Sequence, residues 1–174
     1  MSSVAIVLGS VRPGRAGEQV VRWIEDQARQ VEGVQTVFFD LRDCHLPLFA
    51  EEMPPSMKAP ELAEAVRLRA NLEANDAVLF VTPEYNHSVS GALKNAIDYL
   101  PPAALKEKPV GLVGYSWYGA VKPLEHLREI VSTFGADVRE QQVGINLGSD
   151  FQDGTFTPSD ELNGQIRELL ASLA

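Results

Sequence analysis

An α/β architecture, a parallel sheet covered by helices on both sides, is expected from three features of this chain. Short runs of apolar residues, many β-branched, alternate with segments whose apolar positions recur at helical spacing. Runs such as Val4–Leu8 and Ala77–Val81 are apolar at successive residues rather than at every second one, as strands buried on both faces require. Two of them, Val4–Leu8 and Ala77–Thr82, lead into loops rich in glycine, proline and polar residues, and ligands of open α/β sheets bind beyond such strand ends.

The sequence predicts strands near residues 4–8, 34–39, 77–82 and 109–115, with a weaker one near 137–145. A first helix from about Gly17 to Val31 places Val20, Val21, Ile24, Ala28 and Val31 on one stripe. A second is expected from Pro60 to Ala74, before Asn75-Asp76. The third starts near Ser90, a favourable cap, and would bury Leu93, Ala96, Ile97 and Leu100. The fourth has Pro123 in its first turn, Leu124, Leu127, Val131 and Phe134 along one side, and Gly135 as its stop. The last is expected at Thr157-Pro158-Ser159-Asp160, with Thr157 as cap and Pro158 in the first helical position. Five strands and five helices fit a flavodoxin-like three-layer sandwich with parallel strand order 2-1-3-4-5, formed by residues 1–174 as a single domain. Two connections are too long for simple turns: Asp40 to Ala59, with Pro47, Pro54 and Pro55, and Asn146 to Thr157, rich in Gly, Asp, Ser and Thr. Such lengths mark either functional loops or surface excursions.

Composition narrows the function. At 45% hydrophobic and 22% charged residues the chain is ordinary for a globular protein. Its net charge of -9 argues against a nucleic-acid groove, which needs a basic surface. The single cysteine, Cys44, rules out an intramolecular disulfide and is expected to act as a small apolar residue in a reducing compartment. There is no basic leader and no apolar run of membrane length, so a cytoplasmic location is expected.

The loop Gly9-Ser10-Val11-Arg12-Pro13-Gly14-Arg15-Ala16-Gly17 joins a strand to a helix. That arrangement gathers backbone N–H groups and the positive end of a helix dipole, which suits a phosphate. Ser10 adds a hydroxyl, and Arg12 and Arg15 add planar forks matched to phosphate oxygens; two cations suit a dianionic monophosphate. Two rival motifs fail. Gly9 and Gly14 have Walker A spacing, but Arg15-Ala16 stands where Lys-Ser/Thr is needed. Val11 and Pro13 break the glycine pattern of a dinucleotide fingerprint, and Asp40 reads as a loop residue after a strand rather than a ribose-binding acid. The second loop, Pro83-Glu84-Tyr85-Asn86-His87-Ser88, offers an aromatic face with amide and carbonyl groups at a strand end, suited to a flat polar heterocycle. A tight strand-to-helix connection would read the same way. His87 is expected to cap backbone groups rather than to donate a proton, and Lys94 with Asp98 to form a structural i,i+4 pair.

The segments Gly9-Ser10-x-Arg12-x-x-Arg15, Pro83-Glu84-Tyr85-Asn86-His87-Ser88 and Gly91-x-Leu93-Lys94-Asn95-Ala96-Ile97-Asp98 together resemble the NADPH-dependent FMN reductase family, as do Leu46-Pro47-Leu48 and Glu52-x-Pro54-Pro55. The resemblance implies a flavodoxin-like fold with FMN as cofactor. It implies that Ser10, Arg12, Arg15, Gly17 and Glu18 surround the FMN phosphate and that Pro83, Glu84, Tyr85 and Asn86 line the isoalloxazine. A third loop, Gly114 to Ala120, would close the pyrimidine side through Tyr115, Ser116, Tyr118 and Gly119. Ser90 stands where the family commonly has proline, and Ser116-Trp117-Tyr118 is bulkier than the family's usual glycine-rich third loop. Trp117 and Tyr118 therefore either narrow the site or pack into a subunit interface.

The resemblance implies an oxidoreductase passing hydride from NADPH or NADH to the flavin, and electrons on to a small acceptor such as a flavin, quinone, azo compound or metal oxyanion. No side-chain nucleophile is required, and the histidines and cysteine lie in no metal-ligand spacing. A homodimer or dimer of dimers (homotetramer) is implied, with the flavin near the subunit boundary. The alternative is a flavodoxin-type electron carrier without nucleotide oxidase activity. Arginines in place of a hydroxyl-rich phosphate loop weigh against the carrier, while the acidity would suit docking to a redox partner.

Overall fold

The computed structural model describes residues 1–174. Strand β1 (Ser2–Leu8) leads to α1 (Gly17–Ala28), β2 (Val34–Asp40), α2 (Ala63–Glu73), β3 (Ala77–Pro83) and α3 (Gly91–Asp98). Then follow β4 (Pro109–Ser116), α4 (Val121–Ser132), β5 (Asp137–Val138), β6 (Val143–Asn146), the short pair β7 (Phe151–Gln152) and β8 (Thr155–Phe156), and α5 (Asp160–Ser172). The parallel order β2-β1-β3-β4-β5 is the one expected from the sequence.

Alternation of side chains along the strands builds two cores. Val4, Ile6 and Leu8 of β1 meet Ile24 of α1 and Ile166 and Leu169 of α5 on one face. Ala5 and Val7 face the other way, into a layer with Leu68 of α2, Leu93 and Ile97 of α3, and Leu127 of α4. All seven residues of β3 are buried, which explains the apolar run Ala77–Val81; β2, at the edge, is mostly exposed or half-buried.

The expected fifth strand is two strands. β5 pairs with the start of β4 and β6 with its end. Between them Arg128 donates to the carbonyls of Arg139 and Glu140 at 2.8 and 3.0 Å, so these groups leave the ladder. Helix ends need smaller corrections. Ser90 caps α3 as expected, accepting from the Leu93 N–H at 3.1 Å. The cap of α5 is Ser159, not Thr157: its hydroxyl accepts from the Leu162 N–H at 3.1 Å, and Thr157 donates its own N–H to the Asp150 carbonyl at 2.8 Å. Pro158 thus precedes the helix. Helix α1 ends at Ala28, short of Val31, before a left-handed Gly33, and α2 begins at Ala63 rather than Pro60.

Both long connections are anchored. Asn95 on α3 accepts from the Phe49 N–H and donates to the Pro47 carbonyl, at 2.8 and 2.7 Å. Segment 146–157 folds into the β7–β8 hairpin, with Phe156 against Trp23 edge-to-face at 5.2 Å. Cys44 is buried, and burial pushes its thiol pKa up, away from thiolate reactivity. No helix is long and apolar enough to cross a membrane.

Candidate active site

Beyond the carboxyl ends of β1, β3 and β4, three loops surround a cleft of about 480 Å³. Ser10, Arg12, Gly14, Arg15 and Ala16 line it from the first loop, Pro83 to His87 from the second, and Tyr115 to Tyr118 from the third, with Leu147 beyond β6. Of the residues singled out in the sequence, Ser10, Arg12, Arg15, Pro83, Glu84, Tyr85, Asn86, Tyr115, Ser116 and Tyr118 meet there. Gly17, Glu18 and Gly119 do not line it.

The first loop is held at its base. Gly9 donates to the Val81 carbonyl at 2.8 Å, and Ser90 donates its hydroxyl to the Gly9 carbonyl at 2.5 Å. A Cβ at Gly9 would come within 3.0 Å of the Leu93 Cβ, so glycine lets α3 pack close. Beyond this base, the N–H groups of Val11, Gly14, Arg15 and Ala16 donate to no protein acceptor. The residue before α1 is Ala16, with no side chain able to cap, so the positive end of that helix is left open at the loop. The exposed Arg12 makes no ion pair; its guanidinium carbon lies 6.0 Å from the centre of the Tyr85 ring.

Arg15 is placed differently from Arg12. Its side chain is 2% exposed and grips Asp40 with both terminal nitrogens, Nη1 to Oδ1 at 2.8 Å and Nη2 to Oδ2, while Nη1 also donates to the Ser10 carbonyl. Burial alone would lower the Arg15 pKa; the Asp40 pairing outweighs it, with help from Glu18, and the net shift is upward. Asp40 shows the converse: burial pushes up, but the Arg15 hydrogen bond and the Arg42 N–H prevail and hold its carboxyl below the usual range. Glu18 turns to Arg42, which lowers its pKa, and stands 3.4 Å from Arg15 Nε. Arg15 and Glu18, both expected around the phosphate, pair with each other and with Asp40 and Arg42; Arg15 also lines the cleft. Gly17 has a packing reason to be glycine, since a Cβ there would lie 2.6 Å from both Leu8 Cδ1 and Tyr115 Oη.

The second loop is a two-residue turn. Tyr85 and Ser88 exchange backbone hydrogen bonds at 2.9 and 3.1 Å, and Asn86 and His87 between them have φ of 50° and 62°. Two positive φ values are the pattern of a type I′ turn, in which asparagine is favoured. His87 does not cap backbone groups as expected; its Nδ1 lies 3.2 Å from Glu84 Oε1 at the rim of the cleft. Ser88 reaches His126 Nδ1 at 3.0 Å, and the Glu84 N–H binds the Tyr115 carbonyl at 3.2 Å, tying the second loop to β4. Lys94 and Asp98 form the expected exposed pair.

The third loop turns on Ser116, whose hydroxyl accepts from the Tyr118 and Ala120 N–H groups at 3.0 and 2.8 Å. Gly119 and Ala120 are left-handed, and Gly119 packs so near Gly144 that a Cβ on the latter would strike its carbonyl. This turn leaves Trp117 and Tyr118 66% and 79% exposed at the cleft. A Cβ at Gly148 would meet the Trp117 ring at 3.5 Å. Below it, Tyr115 is buried in the α1–α5 core, and burial raises its pKa strongly, against the opposing pull of the neighbouring Ser10 hydroxyl. The reading from sequence missed Gly14, Ala16 and Leu147. Glycine in a phosphate-type loop was a usable signal for the first, whereas Leu147 depends on the β4–β6 register, which no local pattern carries.

Against known proteins, residues 2–150 match the family model of the NADPH-dependent FMN reductases. An NAD(P)H-dependent FMN reductase of Nectria sp is 33% identical over 74% of this chain and 67% of its own length. A quinone reductase of Escherichia coli (strain K12) is 30% identical over 94% of this chain and 90% of its own. The structure of FerB, a flavoenzyme NAD(P)H:(acceptor) oxidoreductase from Paracoccus denitrificans, superposes with a TM-score of 0.77 at 26% identity, covering 99% of this chain and 97% of that one. With matching loops, fold and family model, the chain belongs to the NADPH-dependent FMN reductase family.

Proposed function

We propose that this chain is an NAD(P)H-dependent FMN oxidoreductase that reduces a small acceptor such as a flavin, quinone, azo compound or metal oxyanion. The observation that carries this reading is the pairing, in one cleft, of a phosphate-type loop with unbonded N–H groups and a polar-edged aromatic loop. The site's residues fit FMN. Partnerless Arg12, the Ser10 hydroxyl and the free N–H groups of the first loop would hold the phosphate. Pro83, Glu84, Tyr85 and Asn86 would border the ring system, and Tyr115, Ser116 and Tyr118 its far side. Bound FMN would supply the redox chemistry, a two-electron transfer between nicotinamide and acceptor. The protein's part is to orient both partners and to restrict the opening, where Trp117 and Tyr118 favour flat molecules.

The family membership and the enzymatic names of its relatives favour this reading over an electron carrier. Residues 1–174 would act as one FMN-binding domain in the cytoplasm, with no nucleic-acid partner. The exposed apolar group Trp117, Tyr118 and Val121 supports a homodimer or dimer of dimers with the cleft near its boundary. Sedimentation at micromolar concentration tests the assembly. NAD(P)H consumption over a matrix of donor and quinone concentrations tests the enzyme: no consumption would reject it, parallel double-reciprocal lines are expected if both partners use one face in turn, and intersecting lines would reject only that shared face.

A further inference from the structure

Asp40 lies 25 residues from Arg15 in sequence, and the parallel register sets it directly across from Leu8, the last residue before the first loop. Its carboxylate is the main acceptor for a guanidinium buried beneath that loop, and the same guanidinium binds the Ser10 carbonyl. The Ser10 carbonyl and the Val11 N–H belong to one planar peptide and point in opposite directions. A grip on the carbonyl therefore fixes the direction of the Val11 N–H, which has no acceptor in the protein. The charge count around the loop agrees: Arg15 is matched by Asp40 and Glu18 by Arg42, leaving Arg12 as the loop's free cation.

We propose that Asp40 is a positioning residue that sets the first loop for a terminal phosphate monoester, acting through Arg15 as a buried strut rather than as a phosphate ligand. This rests on the FMN reading above and adds to it the residue that distinguishes the phosphorylated flavin from riboflavin. Bidentate geometry is central: both carboxylate oxygens receive a nitrogen of the fork, so the strut cannot swivel. Asparagine keeps the shape at position 40 but offers only one acceptor oxygen and no charge.

The test is fluorescence titration of FMN and of riboflavin into the flavin-free full-length chain, for the wild type, Asp40→Asn, Arg15→Met and the double variant. Asp40→Asn is expected to raise the FMN Kd about tenfold and leave that of riboflavin within about twofold. Arg15→Met should match it, and the double variant should lose no more than either single one, because both break the same strut. Tighter FMN binding by Asp40→Asn, or unchanged binding, would overturn the proposal: the first outcome would make Arg15 a phosphate ligand restrained by Asp40. Additive losses would overturn it as well. If Asp40→Asn does not fold, Asp40→Ser takes its place: the same FMN loss with an unchanged riboflavin Kd is expected, and tighter or unchanged FMN binding overturns the proposal. A wild-type chain that binds FMN no better than riboflavin would instead refute the FMN reading itself.

Discussion

Ser10 and Tyr85, 75 residues apart and both lining the cleft, share a hydroxyl–hydroxyl hydrogen bond of 2.7 Å. The bond joins the phosphate-type loop to the turn after β3, so the two halves of the proposed flavin site are braced against each other. Tyr85 thus offers its ring face to the cleft while its hydroxyl is tied to the first loop.

Tyr85→Phe should therefore weaken FMN binding by about 0.5–1.5 kcal/mol, the net worth of one hydrogen bond, although the aromatic face is retained. Riboflavin affinity should change less. Equal losses for both flavins in a titration would place Tyr85 at the ring alone.

Arg12→Ala should cost FMN binding on the order of 1.5–3 kcal/mol, since a charged hydrogen bond to phosphate is lost. Thermal unfolding of the ligand-free chain should not move, because the exposed Arg12 side chain makes no hydrogen bond or ion pair in the protein. An unchanged FMN affinity would remove Arg12 from the phosphate site.

Gly114→Ala probes the packing behind the third loop. The added Cβ would lie 2.6 Å from the Ala120 Cβ and 3.0 Å from Leu124 Cγ, at the start of α4. Overpacking of this kind costs roughly 1–3 kcal/mol, more than the gain from removing a strand glycine, about 0.5–1 kcal/mol. Urea unfolding should show a net loss of stability, and quinone turnover should fall because the displaced Ser116–Ala120 turn borders the cleft.

How far the sequence carried this picture follows from what each feature depends on. The strands, the helix stripes and both cleft loops depend on near neighbours, and they were legible: Ser90 caps α3, and β3 is buried along its length. The Asp40–Arg15 strut depends on the β1–β2 register, so Asp40 read only as a loop residue. Arg12 and Arg15 are chemically alike in the sequence, and only burial separates a free cation from a spent one. The splitting of the fifth strand likewise waits on Arg128, contributed by a helix that no strand pattern includes.

Acid should weaken the strut in a defined direction. The folded pKa of Asp40 lies below the ordinary 3.8, so its contribution is fully present above that value and is lost as pH falls through the lowered one. Urea unfolding of the wild type should lose stability below about pH 4, and Asp40→Asn should lose less over the same range. Identical slopes in the two proteins would show that the pair contributes nothing to folding.

Pyridine nucleotide should reduce FMN held in this cleft, and anaerobic visible spectroscopy of the FMN-loaded protein reads that step. Addition of NADPH or NADH should bleach the flavin absorbance within seconds, and a planar quinone added afterwards should restore it. A protein that binds FMN but keeps its full absorbance with both nucleotides would be an electron carrier and no NAD(P)H-dependent enzyme.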